Sequence, residues 1–496
     1  MRPHHEIETT FAPGEDATVP DLTVVDGVDE VRDAGTVLLE AVYHDTPDLR
    51  LERAGVSLRR RTGGEDEGWH LKVPAGTGRD EYARPLDDAS TPPRSLSDLA
   101  LGWTRGAALG PVATITTERR RLHLLGPEGD VLAELADDRV RADREAWREW
   151  EVELVLGDAD LLAAVAAELA DRGVRRAAVT RKIERALGSA VPVPPRLRKP
   201  KRDRPVARLV HRRLAEQVDA LAREDVGARL ARDEAVHQVR VASRRLRALL
   251  GTFGPVLEHA ATEPVRVELH WLAGALGSAR DGAVVHERLR ALVAQEPEDR
   301  LHGPVLERLR TTYADRGKDE LRSVLTSERY LSLRGRLERL AADPPWTEAA
   351  DAPARDVVPG LLRQEVRRFR KRQRVASREG SGPHELHDVR KAAKRLRYAA
   401  EAVEPVAGRA AHRLADDAQR IASHLGDLQD AAVTITELRA LALAAERAGE
   451  PSFTYGVLLA REEARAARLE SDYWAWDTLD MLKSGTRSAG IAVREK

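Results

Sequence analysis

No cysteine occurs among the 496 residues of this chain. Disulfides, thiolate metal sites and cysteine nucleophiles are therefore excluded. Only 4% of the residues are aromatic, too few for the stacking platforms that hold single-stranded bases. No nucleic-acid-binding motif occurs either, so nucleic acid is not an expected partner. No apolar run approaches the roughly 18 residues that a membrane-crossing helix requires, so no membrane partner is expected. The opening Met-Arg-Pro-His-His-Glu-Ile-Glu has no apolar stretch of the secretory kind. A cytoplasmic location is the expectation.

Net charge is also scarce, at −1, but its distribution is lopsided. Residues 1–190 hold 37 Asp and Glu against 25 Lys and Arg, a net of −12; residues 191–496 hold 45 against 56, a net of +11. An acidic half suits metal cations and a basic half suits a polyanion.

The basic half contains a motif that occurs twice. His237-Gln-Val-Arg240-Val-Ala-Ser-Arg244-Arg245-Leu-Arg247 is matched by His387-Asp-Val-Arg390-Lys-Ala-Ala-Lys394-Arg395-Leu-Arg397. A second echo follows each copy: Leu276-Gly277-Ser-Ala-Arg-Asp281 and Leu425-Gly426-Asp-Leu-Gln-Asp430. Two motifs repeated in the same order mark a duplicated unit. His237, Arg240, Arg244 and Arg247 recur at helical spacing and share one face, as do His387, Arg390, Lys394 and Arg397. A pseudo-symmetric pair of such helices would lie side by side and offer one cationic surface to one anionic ligand. Asp281 and Asp430 read as structural, as caps or as partners of the arginines, rather than as ligands of a polyanion.

A Pro- and cation-rich tract over residues 188–205 reads as a semi-rigid linker. Before it, short alternating runs dominate: Val56–Thr62, Gly68–Val73, Ala113–Leu124, Val131–Ala136 and Trp147–Val155 read as strands. Leu161 to Arg172 reads as a helix. After the linker the pattern is helical throughout, except for a poorly periodic stretch over 345–360. The expected organisation is a strand domain over 1–187, then a helical domain over 206–490 with repeats over about 206–340 and 355–490.

Period two decides which strand side chains share a face. Glu6 with Glu8, Arg59 with Arg61, His70 with Lys72, Arg119 with Arg121, Glu134 with Asp138, and Glu149 with Glu151 and Glu153 form like-charged rows. If the strands close into a barrel, these rows line its lumen. Carboxylates there suit hard divalent cations, and guanidinium groups clamp phosphate oxygens. Together they suit a metal-bound polyphosphate.

Residues 1–187 resemble the CYTH domain of the triphosphate tunnel metalloenzymes. The likeness runs through Glu6-Ile-Glu8, Tyr43-His-Asp-Thr-Pro-Asp48, Leu58-Arg-Arg-Arg61, Trp69-His-Leu-Lys72, Arg84, Arg119-Arg-Arg121, Ala133-Glu-Leu-Ala-Asp-Asp138, Glu151-Val-Glu153 and Arg181-Lys182. The resemblance implies an antiparallel eight-stranded tunnel that acts on triphosphates with Mg²⁺ or Mn²⁺. It makes Glu6, Glu8, Asp138, Glu151 and Glu153 metal or water-orienting carboxylates. Arg59, Arg61, Lys72, Arg84, Arg119, Arg121 and Lys182 become phosphate-binding groups, and Glu6, Glu8, Lys72 and Arg119 the catalytic set. One departure stands out. The family opens on E-x-E-x-K, and here Thr10 occupies the lysine position.

Residues from about 205 to 490 resemble the CHAD domain, an all-helical module that binds inorganic polyphosphate. The two basic helices and the two Leu-Gly-x-x-x-Asp segments carry the likeness. It implies polyphosphate binding by His237, Arg240, Arg244, Arg247, His387, Arg390, Lys394 and Arg397, and association with polyphosphate granules. The expected fold class is thus α+β, an antiparallel β-barrel followed by an all-α bundle with an internal two-fold repeat. The expected function is metal-dependent hydrolysis of inorganic triphosphate or a related triphosphate. The alternatives are a non-catalytic polyphosphate-binding protein with a degenerate tunnel, and an adenylate cyclase.

Overall fold

The computed structural model describes residues 3–191, 197–313, 317–378 and 382–478, with Leu482. The chain divides into two compact units, Met1–Pro195 and Arg196–Lys496.

The first unit is one antiparallel sheet. Its strands are β1 (His4–Glu6), β2 (Glu8–Ala12), β3 (Glu30–Asp45), β4 (Ser57–Thr62), β5 (Gly68–Ala75), β6 (Gly78–Pro85), β7 (Gly110–Leu125), β8 (Val131–Ala142), β9 (Ala146–Leu154) and β10 (Arg175–Arg176). Four helices lie between or after them: α1 (Arg50–Arg53), α2 (Arg94–Thr104), α3 (Ala159–Asp171) and α4 (Lys182–Leu187). The strand order is β1-β6-β5-β4-β3-β7-β8-β9-β2-β10. The hydrogen-bonded ladder is therefore open, and "barrel" describes it only loosely. Its two ends meet through the chain itself. β1 pairs with β6, β2 pairs with β9, and Ile7 joins them, accepting a bond from Leu154 N at 3.0 Å. Ten strands stand where eight were expected, because the N-terminal segment counts as two and β10 is a two-residue pair on β2.

Alternation sorts polar from apolar side chains. On β9, Glu149, Glu151 and Glu153 face inward, while Trp150, Val152 and Leu154 are buried on the outer face beneath Leu161, Leu162, Val165 and Leu169 of α3. Asp158 caps α3, accepting from Asp160 N and Leu161 N, which satisfies donors at the helix start. Gly78 lets β1 close on β6: a Cβ there would stand 2.1 Å from Glu6 O.

The second unit is helical: α5 (Val206–Arg229), α6 (Asp233–Thr252), α7 (His259–Val293), α8 (Val305–Tyr313), α9 (Lys318–Thr326), α10 (Glu328–Ala342), α11 (Ala354–Ala376), α12 (Pro383–Ala407), α13 (Arg409–Arg447) and α14 (Phe453–Ala475). The repeat pairs α5 with α11, α6 with α12 and α7 with α13. Its symmetry shows in one pair of backbone bonds: Val206 N donates to Ala352 O at 2.9 Å, and Ala354 N donates to Arg204 O at 3.0 Å. Each basic helix buries its apolar stripe (Val236, Val239, Leu246 and Leu250 on α6; Leu386, Val389, Ala393 and Leu396 on α12) in one shared core. The irregular stretch between the repeats is shorter than the 345–360 expected. α11 begins at Ala354 behind Pro353, and Pro359 falls in its second turn. Part of the linker (192–196) and most of the tail beyond 478 lie outside the described residues.

Candidate functional site

A cavity of about 310 Å³ opens inside the sheet unit. Seven strands and α4 bring charge to it. Glu6 and Glu8 enter from β1 and β2, Lys72 from β5 opposite Ser57 of β4, Arg59 and Arg61 from β4, and Arg119 from β7. Glu8 lies directly across from Glu153, and Thr10 across from Glu151. Lys182 reaches in from the first residue of α4.

The charges are arranged in clusters. Lys72 Nζ lies 2.6 Å from Glu6 Oε2. Glu81 Oε1 sits 2.8 Å from His70 Nδ1 and 4.0 Å from Arg59 Nη2. Arg119 grips Asp138 with two bonds, at 2.8 and 2.7 Å, and meets Glu151 at 2.5 Å. Lys182 Nζ is 2.9 Å from Asp138, 2.5 Å from Glu149 and 2.5 Å from Glu151. Trp147 Nε1 donates to the far oxygen of Glu149 at 2.6 Å. Burial and these partners set the proton affinities. Burial opposes ionisation of Glu151, but Lys182 and Arg119 outweigh it and hold its carboxyl far below the usual range. Burial pushes Glu6 up to about 8, with Lys72 pulling against it. Burial also raises Glu153; Lys72 opposes this, and Glu8 and Glu151 add to it. Burial lowers Arg61 to about 9, with Arg59 and Arg119 crowding it further.

The cavity thus gathers most of the residues singled out in the sequence: Glu6, Glu8, Glu151 and Glu153 among the acids, and Arg59, Arg61, Lys72, Arg119 and Lys182 among the bases. Three stand elsewhere. Asp138 is fully buried behind Arg119 and Lys182 and does not line the cavity. Arg121 shares the face of Arg119 but lies further along β7, bonded to Glu134 at 2.9 Å. Arg84 belongs to the opposite face of β6 from Glu81, as period two requires, and donates to Ser95 Oγ at 3.0 Å. Thr10 is buried, 2% exposed, with its hydroxyl 3.4 Å from Thr180 O. The ammonium beside Glu151 comes from Lys182 instead.

Sequence reasoning missed Glu81, Arg79, Arg181 and Tyr43 as lining groups. Tyr43 and Arg181 sit in matched segments without a distinguishing pattern. Glu81 and Arg79 flank Asp80 in a strand with no alternation of sign. The rest of the Tyr43–Asp48 segment is structural: Asp45 accepts from the backbone N–H groups of Thr46, Leu51 and Glu52 at 2.6, 2.9 and 2.9 Å and so holds α1.

The donor set fits a hard divalent cation. Glu6, Glu8 and Glu153 line one cavity and supply only oxygen, the donor type such a cation takes; burial, the first cause of the raised proton affinities of Glu6 and Glu153, is relieved when a cation joins them. A second carboxylate cluster, Asp138, Glu149 and Glu151, has oxygens within 4.8 Å of one another, but Lys182 stands among them.

In the helical unit α6 packs on α12. The repeated glycines explain the second echo. The Arg240 guanidinium lies over Gly277, where a Cβ would be 3.3 Å away, and the Arg390 guanidinium lies over Gly426 at 3.1 Å. Arg244, Arg247 and Lys394 line one groove. Burial and the charges of Arg390 and Arg244 lower Lys394 to about 7. Burial lowers His387 and Arg390 as well. His237 is half-buried at the head of α6. Arg397 departs from the expected surface. It bonds Glu401 at 2.5 Å and lines a different groove, because a two-fold axis between the helices sends equivalent off-axis residues to opposite sides. Asp430 adds an attractive charge to Lys394 and Arg390; the side chain of Asp281 lies outside the described residues.

Sheet, charged cavity and duplicated bundle define a class: a triphosphate-tunnel protein with a helical domain appended. The CYTH domain model matches residues 4–186 and the CHAD domain model residues 212–439. Proteins described as uncharacterized from two strains of Mycobacterium tuberculosis are each 36% identical over 524 residues, covering 99% of this chain and 98% of their own. The chain belongs to the family in which a CYTH domain is followed by a CHAD domain. Among solved structures, the CHAD domain of the plant Ricinus communis is 23% identical, covering 61% of this chain and 98% of that one with a TM-score of 0.44. A putative adenylyl cyclase from Hippeastrum, described as having a dominant triphosphatase activity, is 13% identical, covering 36% of this chain and 93% of that one with a TM-score of 0.26. Among the described residues no helix is long and apolar enough to cross a membrane.

Proposed function

We propose that the tunnel hydrolyses inorganic triphosphate or a related triphosphate with Mg²⁺ or Mn²⁺, and that the helical domain holds inorganic polyphosphate. One observation carries the first half: Arg59, Arg61, Lys72 and Arg119 share a 310 Å³ cavity with Glu6, Glu8, Glu151 and Glu153. In hydrolysis a water oxygen bonds to the terminal phosphorus. The bond to the bridging oxygen breaks, diphosphate leaves with its electron pair, and one proton is released. Such a reaction needs chiefly positioning and charge neutralisation. Arg59 and Arg61 hold phosphate oxygens, and Lys72 and Arg119 take charge developing on the leaving diphosphate. Glu6, Glu8, Glu151 and Glu153 would hold the divalent cation, which when bound would neutralise and polarise the phosphate. The second half rests on Arg244 and Lys394, cations crowded together on the paired basic helices.

The test is release of phosphate from tripolyphosphate, ATP and thiamine triphosphate with either metal, with cyclic AMP measured in the ATP reaction. Cyclic AMP as the main product would replace hydrolysis by cyclisation. A specific observation favours a second, non-catalytic reading: Thr10 supplies no cation opposite Glu151. If no triphosphate is hydrolysed, that reading holds, and activity appearing in Thr10→Lys would assign the defect to residue 10.

A further inference from the structure

The helical domain carries two grooves of equal size, and the internal repeat relates them. Each holds about 400 Å³. The first is lined along α7 by Glu263, Arg266, Val267 and His270. The second is lined along α13 by His412, Ala415, Asp416 and Gln419. These are the same four positions, separated by the interval that separates Gly277 from Gly426. Arg247 and Arg395 line the first groove; their repeat equivalents, Arg397 and Arg245, line the second. Even one contact is reproduced: Arg247 Nη1 meets His270 Nδ1 at 2.5 Å, and Arg397 Nη1 meets Gln419 Oε1.

The contents have diverged. The second groove is balanced, with three arginines and three carboxylates. There Glu401 accepts from Arg397 at 2.5 Å and from Arg245 at 3.0 Å. The first groove has eight Lys and Arg side chains and two carboxylates. Glu263 pairs with Arg266 at 2.7 Å, and Asp388 is shared between Arg372 at 3.2 Å and Lys391 at 3.4 Å. Behind the lining, Glu365 takes Arg368 and Arg395, each at 2.8 Å. Among the described residues no carboxylate pairs with Arg247, whose Nη1 meets His270, and Arg244 Nε is buried without a hydrogen-bond partner. Burial, then the charges of Arg266, Arg395 and Arg244, hold Arg247 below its usual range. Uncompensated cations in a groove are costly unless an anion joins them.

We propose that the helical domain seats a linear phosphate chain in the first groove, between α6, α7, α11 and α12, and that the equivalent second groove does not bind it. This rests on the polyphosphate reading and adds a side to it. A phosphate chain carries roughly one charge per residue, and its affinity comes from the excess of cations over carboxylates along its path, by analogy with nucleic-acid backbones. The duplication supplied two paths, and only one retains that excess.

The full chain is titrated with labelled long-chain inorganic polyphosphate at low salt. Arg266→Gln with Arg372→Gln in the first groove is compared with Arg213→Gln with Arg245→Gln in the second. The first pair is expected to weaken binding at least tenfold and to lower the slope of log affinity against log salt by about one to two, since each lost phosphate contact removes about 0.7 to 1. The second pair is expected to stay within twofold of wild type. Equal losses from both pairs, or a larger loss from the second, would overturn the one-sided assignment while leaving polyphosphate binding in place. A wild-type chain that binds no polyphosphate sinks the underlying reading and the assignment with it. If the first double variant melts below assay temperature, Lys391→Gln decides alone; its side chain is 61% exposed, and binding equal to wild type then overturns the assignment.

Discussion

Lys182 holds its ammonium 2.5 Å from the Glu151 carboxylate, with Glu149 and Asp138 completing its shell. The lysine is 9% exposed and Asp138 fully buried. Removing one partner of a buried ionic cluster leaves uncompensated charge and costs about 3–5 kcal/mol. Lys182→Met is therefore expected to lower the stability of the sheet unit by about 3 kcal/mol, read from its urea transition. The freed carboxylates lie close enough to share a divalent cation. Mn²⁺ should restore part of the loss in Lys182→Met but not in Lys182→Met with Glu149→Gln.

Glu8 and Glu153 face each other across the β2–β9 pair, and both line the cavity. Either Glu8→Gln or Glu153→Gln should lower triphosphate turnover by about 100-fold or more if they hold the metal. Circular dichroism should stay unchanged. Full turnover in both variants would remove these residues from the catalytic set.

A methyl group at Gly426 would press on the Arg390 guanidinium at 3.1 Å. Helix propensity favours alanine over glycine by about 1 kcal/mol, which offsets the displacement of the arginine. Gly426→Ala should therefore leave the melting temperature nearly unchanged and weaken polyphosphate binding several-fold. A large drop in melting temperature with intact binding would assign Arg390 to packing alone.

Lys394 titrates near neutrality. Burial disfavours its charge first; then Arg390 on its own helix and Arg244 and Arg240 on α6 repel it, while Asp430 on α13 attracts it. With its value lowered to about 7, the free protein carries the ammonium below that pH and loses it above. A polyanion favours the charged form, so binding takes up a proton at higher pH. Affinity should fall about tenfold between pH 6 and pH 8, as linkage of one proton allows. Lys394→Arg should flatten that dependence, because arginine stays charged throughout. The same slope in both proteins would place the titration on another group.

The like-charged rows on β4 and β9 were legible because period two is fixed by the backbone. Arg59 with Arg61, and Glu151 with Glu153, line the cavity as that alternation requires. Arg84 was misplaced for the complementary reason. A single arginine shows no row, and its face follows only from the pairing of Trp69 with Arg84 and Lys72 with Glu81. Glu81 was invisible beside Asp80, since adjacent acids give no alternation. On the helices, spacing put Arg244 and Lys394 on the cationic faces, and they line one groove. It could not tell that Arg247 and Arg397 would part company, because periodicity describes one helix and symmetry describes two.

The reciprocal bonds of Val206 with Ala352 and Ala354 with Arg204 have the form of an isologous contact, in which two identical subunits each give and receive the same bond. In a homodimer such a contact constrains sequence: any change on one side appears on the other. Here the two halves are continuous in one chain, so a substitution at Val267 leaves Asp416 untouched. Covalent fusion keeps the geometry of a dimer while releasing its halves to evolve separate electrostatics.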